Sequence, residues 1–208
     1  TGGTGDAPHP AGAVAVIYLC RHGQTEFNTH RRYPGQLDSP LTALGRDQAS
    51  AMGRRLRGLI TTDFRLFASP LGRAQASAHR IAAELGTPEI TLDPRLMEIG
   101  MGAWDGLDDV EIETEFPGAR DGLSPGEWFF HSPDGESFDA FSARLAAALA
   151  DIAADPTPIK ILVPPGVAGR VLRGLHAGLT RGEMLAAPVP QNAFYALLPE
   201  GRITEIPA

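Results

Sequence analysis

An arginine and a histidine whose side chains could take part in a reaction follow a short apolar run near the start of the chain. The run at 14–18 is rich in β-branched residues, and Arg21-His22-Gly23 comes soon after it. Such a run predicts a buried parallel strand that ends at the carboxyl edge of a sheet, where open α/β sheets bind ligands. Arg21 carries a permanently charged planar guanidinium that can hold two phosphate oxygens, and His22 offers a ring nitrogen that is nucleophilic at neutral pH. The pair therefore predicts a histidine that accepts a phosphoryl group.

The charged residues are distributed unevenly along an acidic chain. The net charge is −7, which argues against binding to nucleic acid. Residues 21–80 nevertheless contain ten arginines against four acids, whereas residues 81–140 contain two arginines against fifteen acids. The first half of the chain can therefore bind an anion. The alternative is that most of these arginines form a solvated helix face, and we favour it for all of them except Arg21 and Arg73.

Length and composition indicate one domain without a membrane partner. The chain has 208 residues, of which 43% are hydrophobic, so it can bury a complete core. No apolar stretch is long enough to span a bilayer, and residues 1–13 lack the basic start and apolar centre of a signal peptide. We therefore expect a cytoplasmic protein in which residues 1–13 are a disordered leader or a remnant of recombinant expression and residues 14–208 form the domain. The single cysteine, Cys20, excludes an internal disulfide and a thiolate metal site.

Strand and helix patterns alternate after the first strand. Thr42 can cap a helix that runs to about residue 59, and its predicted buried stripe is Leu44, Ala51, Met52 and Leu56. Further strands are predicted at 65–68, 89–92 and 159–163. Further helices are predicted from about 70 to 86 and at 108–116, 138–154 and 166–178. Such an alternation of strands and helices predicts an α/β fold with a parallel sheet.

An insertion at about 107–136 interrupts this alternation. Its loop at 117–135 carries Trp128, Phe129, Phe130 and His131. Loops of this length inside a compact domain are usually lids or binding segments. The aromatic side chains could cover the organic part of a ligand, or they could pack onto the domain, which is the interpretation that we favour.

Several motifs in a fixed order resemble one protein family. The segment Arg-His-Gly-Gln-Thr-Glu-Phe-Asn at 21–28 is followed by Tyr-Pro-Gly-Gln-Leu-Asp-Ser-Pro-Leu-Thr-Ala-Leu-Gly at 33–45 and by Ser-Pro-Leu-Gly-Arg-Ala at 69–74. With the glycine-rich segment at 96–106, they resemble the histidine phosphatase superfamily, which contains the cofactor-dependent phosphoglycerate mutases and many small phosphatases. The resemblance covers almost the whole predicted domain. It implies a three-layer α/β sandwich, which is a mainly parallel sheet with helices on both faces.

The resemblance assigns catalytic roles to four residues. His22 would accept the phosphoryl group, Arg21 and Arg73 would position it, and Glu98 would protonate the leaving oxygen and then activate water. A phosphate dianion beside Glu98 would favour the protonated carboxyl. The alternatives are a satisfied polar residue at a strand end for His22 and a surface glutamate in a glycine-rich loop for Glu98. The resemblance implies no metal and no other cofactor.

Three further residues complete the predicted substrate site. Asn28 and Gly35 match family positions near the bound phosphate, and Thr25 lies in the same motif as Asn28. The partner that this site predicts is a small phosphorylated substrate.

The chain departs from the family at one position that matters for the chemistry. Where the family has Ser-His-Gly, this chain has Pro164-Pro165-Gly166, so a proline stands where the family has the second histidine of its phosphate pocket. Proline has neither an imidazole nor a backbone N–H, although the fold tolerates it at a strand end or in a first helical turn. Only His131, on the insertion, could swing in to replace the missing ring.

The predicted function is phosphomonoester hydrolysis through a phosphohistidine. The loss of one donor that stabilises transition-state charge typically costs about 10² to 10³ in rate, so activity would be weakened and not abolished. The alternative is a catalytically inactive relative that binds a phosphorylated ligand or a partner protein. A phosphoglycerate mutase is the third interpretation, and we favour it least because the segment between Glu98 and Pro165 looks too short for the insertions that cover a mutase's substrate.

Overall fold

A mixed sheet of six strands forms the centre of the part of the chain that the structure describes. This computed structural model describes residues 15–86 and 89–208, so the predicted leader at 1–13 lies outside the described residues. The strands are β1 (Val16–Leu19), β2 (Phe64–Ala68), β3 (Thr91–Leu92), β4 (Ile159–Val163), β5 (Ala193–Leu198) and β6 (Arg202–Pro207). Their order is β3-β2-β4-β1-β5-β6. The strands β1 to β4 pair in parallel, whereas β5 and β6 pair antiparallel.

Helices cover both faces of this sheet. They are α1 (Glu26–Thr29), α2 (Ala43–Arg57), α3 (Gly72–Leu85), α4 (Asp109–Glu115), α5 (Phe138–Ala154), α6 (Gly166–Ala177) and α7 (Arg181–Ala186). In the central strand, Val16 and Tyr18 pack in a core with residues of α2 and α3, while Ile17 and Leu19 pack in a second core with α5 and α6. Because side chains alternate along a strand, a strand buried on both faces must be apolar throughout. The predicted three-layer α/β sandwich is confirmed.

The helix after the first loop begins where the sequence predicts, but its buried face differs. The Thr42 hydroxyl accepts a hydrogen bond from the Gly45 N–H and so caps α2. Leu44, which we expected in the buried stripe, is 53% exposed and Ala51 is half-buried. Met52 and Leu56 are fully buried as predicted, and Gly45, Ala49 and Gly53 complete the buried stripe. A Cβ on Gly53 would lie 2.8 Å from Glu84 Cβ, so α2 and α3 approach too closely at this point for a side chain at 53.

The last part of the described chain was not predicted from the sequence. The elements α7, β5 and β6 follow α6, and β5 pairs with β1 by placing Ala196 opposite Tyr18. The third strand is also shorter than the predicted 89–92, because only Thr91 and Leu92 pair with β2. Within residues 15–86 and 89–208, no helix is both long and apolar enough to cross a membrane.

Candidate active site

A cavity of about 310 Å³ opens at the carboxyl edge of the parallel strands. Arg21 and His22 reach it from the end of β1, and Gly166 reaches it from the end of the neighbouring β4. Glu98 approaches from the loop after β3. The remaining lining residues are Asn28, Arg31, Arg32, Tyr33, Pro34, Gly35, Ile99, Met101, Asp109, Phe129, Val167, Arg170 and Val189. Five of the seven predicted site residues thus share one cavity, and Thr25 and Arg73 are not part of its lining.

The ring of His22 is held in one orientation by backbone contacts. Its Nδ1 lies 2.7 Å from the Gly23 carbonyl oxygen. A carbonyl can only accept a hydrogen bond, so Nδ1 carries the proton and Nε2 keeps its lone pair. The Gly23 N–H donates to Ser77 Oγ at 3.0 Å, and a Cβ on Gly23 would lie 2.0 Å from the Gly45 carbonyl oxygen. The Arg-His-Gly motif therefore requires glycine at 23 because two backbones meet there.

Burial and neighbouring charge keep His22 in its neutral form. The side chain is only 3% exposed. Burial, followed by the charges of Arg21 and Arg73, lowers the pKa of His22 well below its usual value, and the bond to Gly23 opposes this only in part. A neutral imidazole is the form that can attack phosphorus.

We expect the His22 ring to stay neutral when the pH is lowered through about 6.5, the usual pKa of an imidazole. Nitrogen NMR of ¹⁵N-histidine-labelled protein checks this, with a free histidine peptide as the reference that titrates normally. Because the unfolded chain binds this proton at a higher pH than the folded chain, His22 makes the fold less stable as the pH falls below about 6.5. A His22 signal that titrates together with the reference peptide would contradict the buried, neutral ring.

Arg21 lies beside His22 with unused hydrogen-bonding capacity. Its Nη1 donates to the Val189 carbonyl, and its Nε is buried without a partner among the described residues. Burial lowers the pKa of Arg21 to about 10, and the nearby Glu98 carboxylate works against this shift. The guanidinium is therefore charged at neutral pH and can donate to an anion.

Arg73 holds the loop that contributes Gly35 to the cavity. Its Nη1 donates to the Leu37 carbonyl and its Nη2 to the Gly35 carbonyl, each at 2.7 Å. Burial lowers the pKa of Arg73, and the charge of Glu98 opposes the shift. The backbone of Gly35 has a φ of +50°, and a Cβ there would lie 1.6 Å from Asp105 Oδ1. Arg73 thus fixes the loop that carries Gly35 and contributes positive charge to the site, but it does not line the cavity.

The carboxylate of Glu98 caps the helix that follows the two prolines. It accepts hydrogen bonds from the N–H groups of Val167 at 3.0 Å and Ala168 at 2.9 Å, and also from its neighbour Ile99 at 3.2 Å. Pro165 is the N-cap residue of α6 and has no side-chain acceptor to offer. An N-cap side chain normally accepts from the second and third N–H groups of its helix. Glu98 does this from another part of the chain, which also fixes its position in the cavity.

Arg144 holds the backbone that carries Glu98. Its guanidinium donates to the carbonyl oxygens of Arg95, Met97 and Glu98 at 2.7 to 2.9 Å. It also pairs with the Glu136 carboxylate at 2.7 Å. The apolar periodicity of α5 predicts only a packing helix and gives no sign of this contact.

The two predicted binding residues after His22 differ in their surroundings. Thr25 is fully buried, and its hydroxyl accepts from the Asn28 N–H as the N-cap of α1. Thr25 was predicted to bind substrate, but here its hydroxyl caps a helix. Asn28 does line the cavity, and its Oδ1 accepts from the Thr25 N–H and from Gln191 Nε2, each at 3.1 Å. Its amide nitrogen remains available as a donor to a ligand.

Among residues 15–86 and 89–208, no histidine besides His22 lines this cavity. Pro165 is buried with a φ of −66°, and its side chain lines a smaller cleft that adjoins Arg21. His131 is exposed and outside the cavity lining, so the idea that it fills the gap is not borne out by this structure. The His176 ring is 2.8 Å from the Leu198 carbonyl oxygen and likewise lies outside the lining. Among the described residues there is also no group of three or more His, Cys, Asp or Glu side chains that could hold a metal ion.

The insertion supplies one wall of the cavity. Phe129 lines it, whereas Trp128 packs against the buried Trp104 with ring centroids 5.9 Å apart. Tyr33 lies between the cavity and this cluster, 4.8 Å from Trp128. Packing onto the domain is thus the main role of the aromatic residues, as we favoured. Tyr33 was not predicted as a site residue, and only its place inside the family motif could have indicated it.

Similarity to known proteins defines the class to which this site belongs. A model of the histidine phosphatase superfamily (branch 1) matches residues 17–200. The chain therefore belongs to the histidine phosphatase superfamily, as its motifs predicted. It is 42% identical over 153 residues to a probable phosphoglycerate mutase GpmB of Enterobacter sp., covering 73% of this chain and 70% of that protein.

Solved structures agree with this assignment. A mycobacterial glucosyl-3-phosphoglycerate phosphatase in complex with VO3 is 27% identical with a TM-score of 0.71, and the match covers 88% of this chain and 89% of that chain. A putative alpha-ribazole-5'-P phosphatase from Escherichia coli is 24% identical with a TM-score of 0.79, and the match covers 93% and 95% of the two chains. The second likeness supports the fold alone.

Proposed function

We propose that this protein hydrolyses small phosphomonoesters through a phosphohistidine formed on His22. The observation that carries the proposal is a buried, neutral imidazole whose Nδ1–H is engaged and whose Nε2 is free, in a cavity that arginines make positive. A cavity of about 310 Å³ suits a small ester, and the net charge of −7 disfavours nucleic acid as a partner.

The first step would transfer the phosphoryl group to the enzyme. Arg21 and the Asn28 amide would hold the phosphate oxygens while Nε2 of His22 forms a bond to phosphorus. The bond between phosphorus and the ester oxygen breaks, and Glu98 gives its proton to that oxygen. With the proton on Oε2, Glu98 would keep the bond from the Ala168 N–H to Oε1 and give up the bond from the Val167 N–H to Oε2, so the acid form would retain part of the helix cap.

The second step would release phosphate. Glu98, now a carboxylate, removes a proton from a water molecule that attacks phosphorus and breaks the bond to Nε2. The products are phosphate and a neutral His22. No metal takes part in this scheme.

Phosphate release from a panel of phosphomonoesters tests the proposal. The panel includes p-nitrophenyl phosphate, alkyl phosphates and phosphoglycerates, and the reaction with ³²P-labelled ester is quenched in alkali, where phosphohistidine survives. We expect released phosphate and a label that mass spectrometry maps to His22. A folded protein that releases no phosphate from any ester would contradict the proposal.

A non-catalytic binding protein is the second candidate, because Pro165 offers no imidazole and Glu98 is occupied as a helix cap. Binding of a phosphorylated ligand without turnover would identify it. A phosphoglycerate mutase is the third candidate, since a relative is named as a probable one. Interconversion of 2- and 3-phosphoglycerate that outpaces phosphate release would identify a mutase.

A further inference from the structure

Arg170 reaches the cavity from the helix that follows the two prolines. It lies one helical turn after Gly166, and both residues line the cavity. Side chains on a helix lean toward its N-terminus, so a long side chain covers the surface one turn earlier. Gly166 has no side chain to occupy that surface. The Arg170 side chain also lines the smaller cleft beside Pro165, which places it between the proline and the cavity.

The guanidinium of Arg170 is only partly engaged. Its Nη1 donates to the Leu185 carbonyl at 2.8 Å, while its Nε is buried without a partner among the described residues. Buried donors are normally satisfied, and an unsatisfied one calls for an explanation such as a ligand. The Nε of Arg21 is unsatisfied in the same way. Two arginines of one cavity thus keep unused donors.

Arg170 also shares the electrostatic environment of the reacting groups. Its positive charge contributes to lowering the pKa of Arg21, and the Glu98 carboxylate acts to raise the pKa of Arg170 against the effect of burial. Arg21 and Arg170 line the cavity together with Glu98, whereas Arg73 does not line it and is also acted on by Asp38 and Asp105. A phosphate dianion would be favoured beside the two guanidinium groups of the lining.

We propose that Arg170 binds an oxygen of the transferring phosphoryl group and supplies the positive charge that Pro165 does not. This inference rests on the proposed function, since it names the phosphoryl group as the anion. Arg170 contributes through charge and N–H donors alone, so no proton leaves it at any step. Arg170, one turn into α6, would then be a second cationic group at the phosphate site beside Arg21.

Arg173 offers a matched control on the same helix. Arg170 donates to the Leu185 carbonyl in the last turn of α7, and Arg173 donates at 2.7 Å to the Pro188 carbonyl just after α7, so each arginine fastens α6 to this part of the chain. Arg173 stacks on Tyr195 and is outside the cavity lining. A loss that appears for Arg170 and not for Arg173 therefore reports on the cavity and not on the anchoring of the helix.

The test compares Arg170→Gln with Arg173→Gln in orthovanadate binding and in turnover of p-nitrophenyl phosphate. We expect Arg170→Gln to weaken vanadate binding at least about 10-fold and to lower kcat about 10² to 10³-fold, the usual effect of losing one transition-state donor. Arg173→Gln should change both by less than about 3-fold. Arg170→Lys keeps the charge without the planar guanidinium, so its vanadate affinity and kcat should lie between those of the wild type and Arg170→Gln. If Arg170→Gln does not fold, Arg170→Lys takes its place in the comparison.

Restoring the family residues gives a second test. Pro164→Ser with Pro165→His should raise kcat about 10² to 10³-fold in the Arg170→Gln protein and clearly less in the wild type. In the wild type, the Arg170 guanidinium would already stabilise the phosphoryl charge that the new imidazole at 165 stabilises. An equal gain in both backgrounds would overturn the proposal.

The proposal and the enzymatic function can fail separately. Vanadate binding that depends on Arg170 without any turnover would overturn the proposed hydrolysis and keep the role of Arg170. Turnover that is equal in the Arg170→Gln and Arg173→Gln proteins, with equal vanadate affinity, would keep the hydrolysis and overturn the role of Arg170. A wild-type protein that binds no vanadate would also overturn it.

Discussion

His22→Ala is expected to abolish phosphomonoester turnover and to leave the phosphate site able to bind an anion. The substitution removes the nucleophile, so the covalent route no longer exists. The arginines remain, so orthovanadate affinity should change by no more than about 10-fold, the scale of one lost neutral contact. Steady-state kinetics and calorimetric titration with orthovanadate measure the two effects on the same protein.

An exposed histidine outside the cavity lining provides the control. His79 is exposed on α3, so His79→Ala should turn over at the wild-type rate. Retained turnover in His22→Ala would show that phosphate leaves by direct attack of water, and the phosphohistidine mechanism would have to be abandoned.

Glu98→Gln is expected to slow esters with poor leaving groups about 10² to 10⁴-fold, the range of general acid catalysis. The amide keeps the shape of the side chain and one acceptor oxygen, but it has no acidic proton to give. Aryl phosphates such as p-nitrophenyl phosphate need little protonation of their leaving oxygen and should lose much less. The ratio of kcat/KM for an alkyl phosphate to that for p-nitrophenyl phosphate measures the difference.

The capping role of Glu98 requires a stability measurement on the same variants. Loss of an N-cap acceptor typically costs about 0.5 to 2 kcal/mol of unfolding free energy, so Glu98→Ala should fall in this range and Glu98→Gln should lose less. Urea unfolding followed by circular dichroism gives both values. Equal slowing of the two ester classes would mean that Glu98 serves only to hold α6.

The sequence predicts the central strands and the principal chemical groups because their signals are local. The apolar run before Arg21 marks β1, and the Arg-His-Gly turn marks its end. Gly23 is required by its close contact with the Gly45 backbone, and Gly35 by its positive φ and the Asp105 carboxylate beside it. These residues lie in short continuous segments, so a local sequence motif is enough to identify them.

The contacts that join distant segments could not be predicted in the same way. Arg170 and Arg144 lie on helices whose apolar periodicity indicates packing, and periodicity gives no information about where the polar face of a helix points in the fold. The capping of α6 by Glu98 depends on a loop meeting the start of a distant helix, and the support of the Gly35 loop by Arg73 depends on the same kind of contact. Leu44 was wrongly expected in the core, where Gly45 and Ala49 are buried in its place, because which side of a helix faces its neighbours is a property of the tertiary structure.

The strand order has a consequence for how the protein acquires its activity during synthesis. The strand β4 lies between β2 and β1, and it pairs Ile159 with Val16. The other neighbour of β1 is β5, so both partners of β1 come from the last quarter of the chain. A nascent chain therefore carries His22 on an unpaired strand until most of the protein has left the ribosome, and pairings of such long range form slowly. His22 and the cationic side chains around it come together only when β4 enters the sheet, so an incomplete chain has no assembled candidate site.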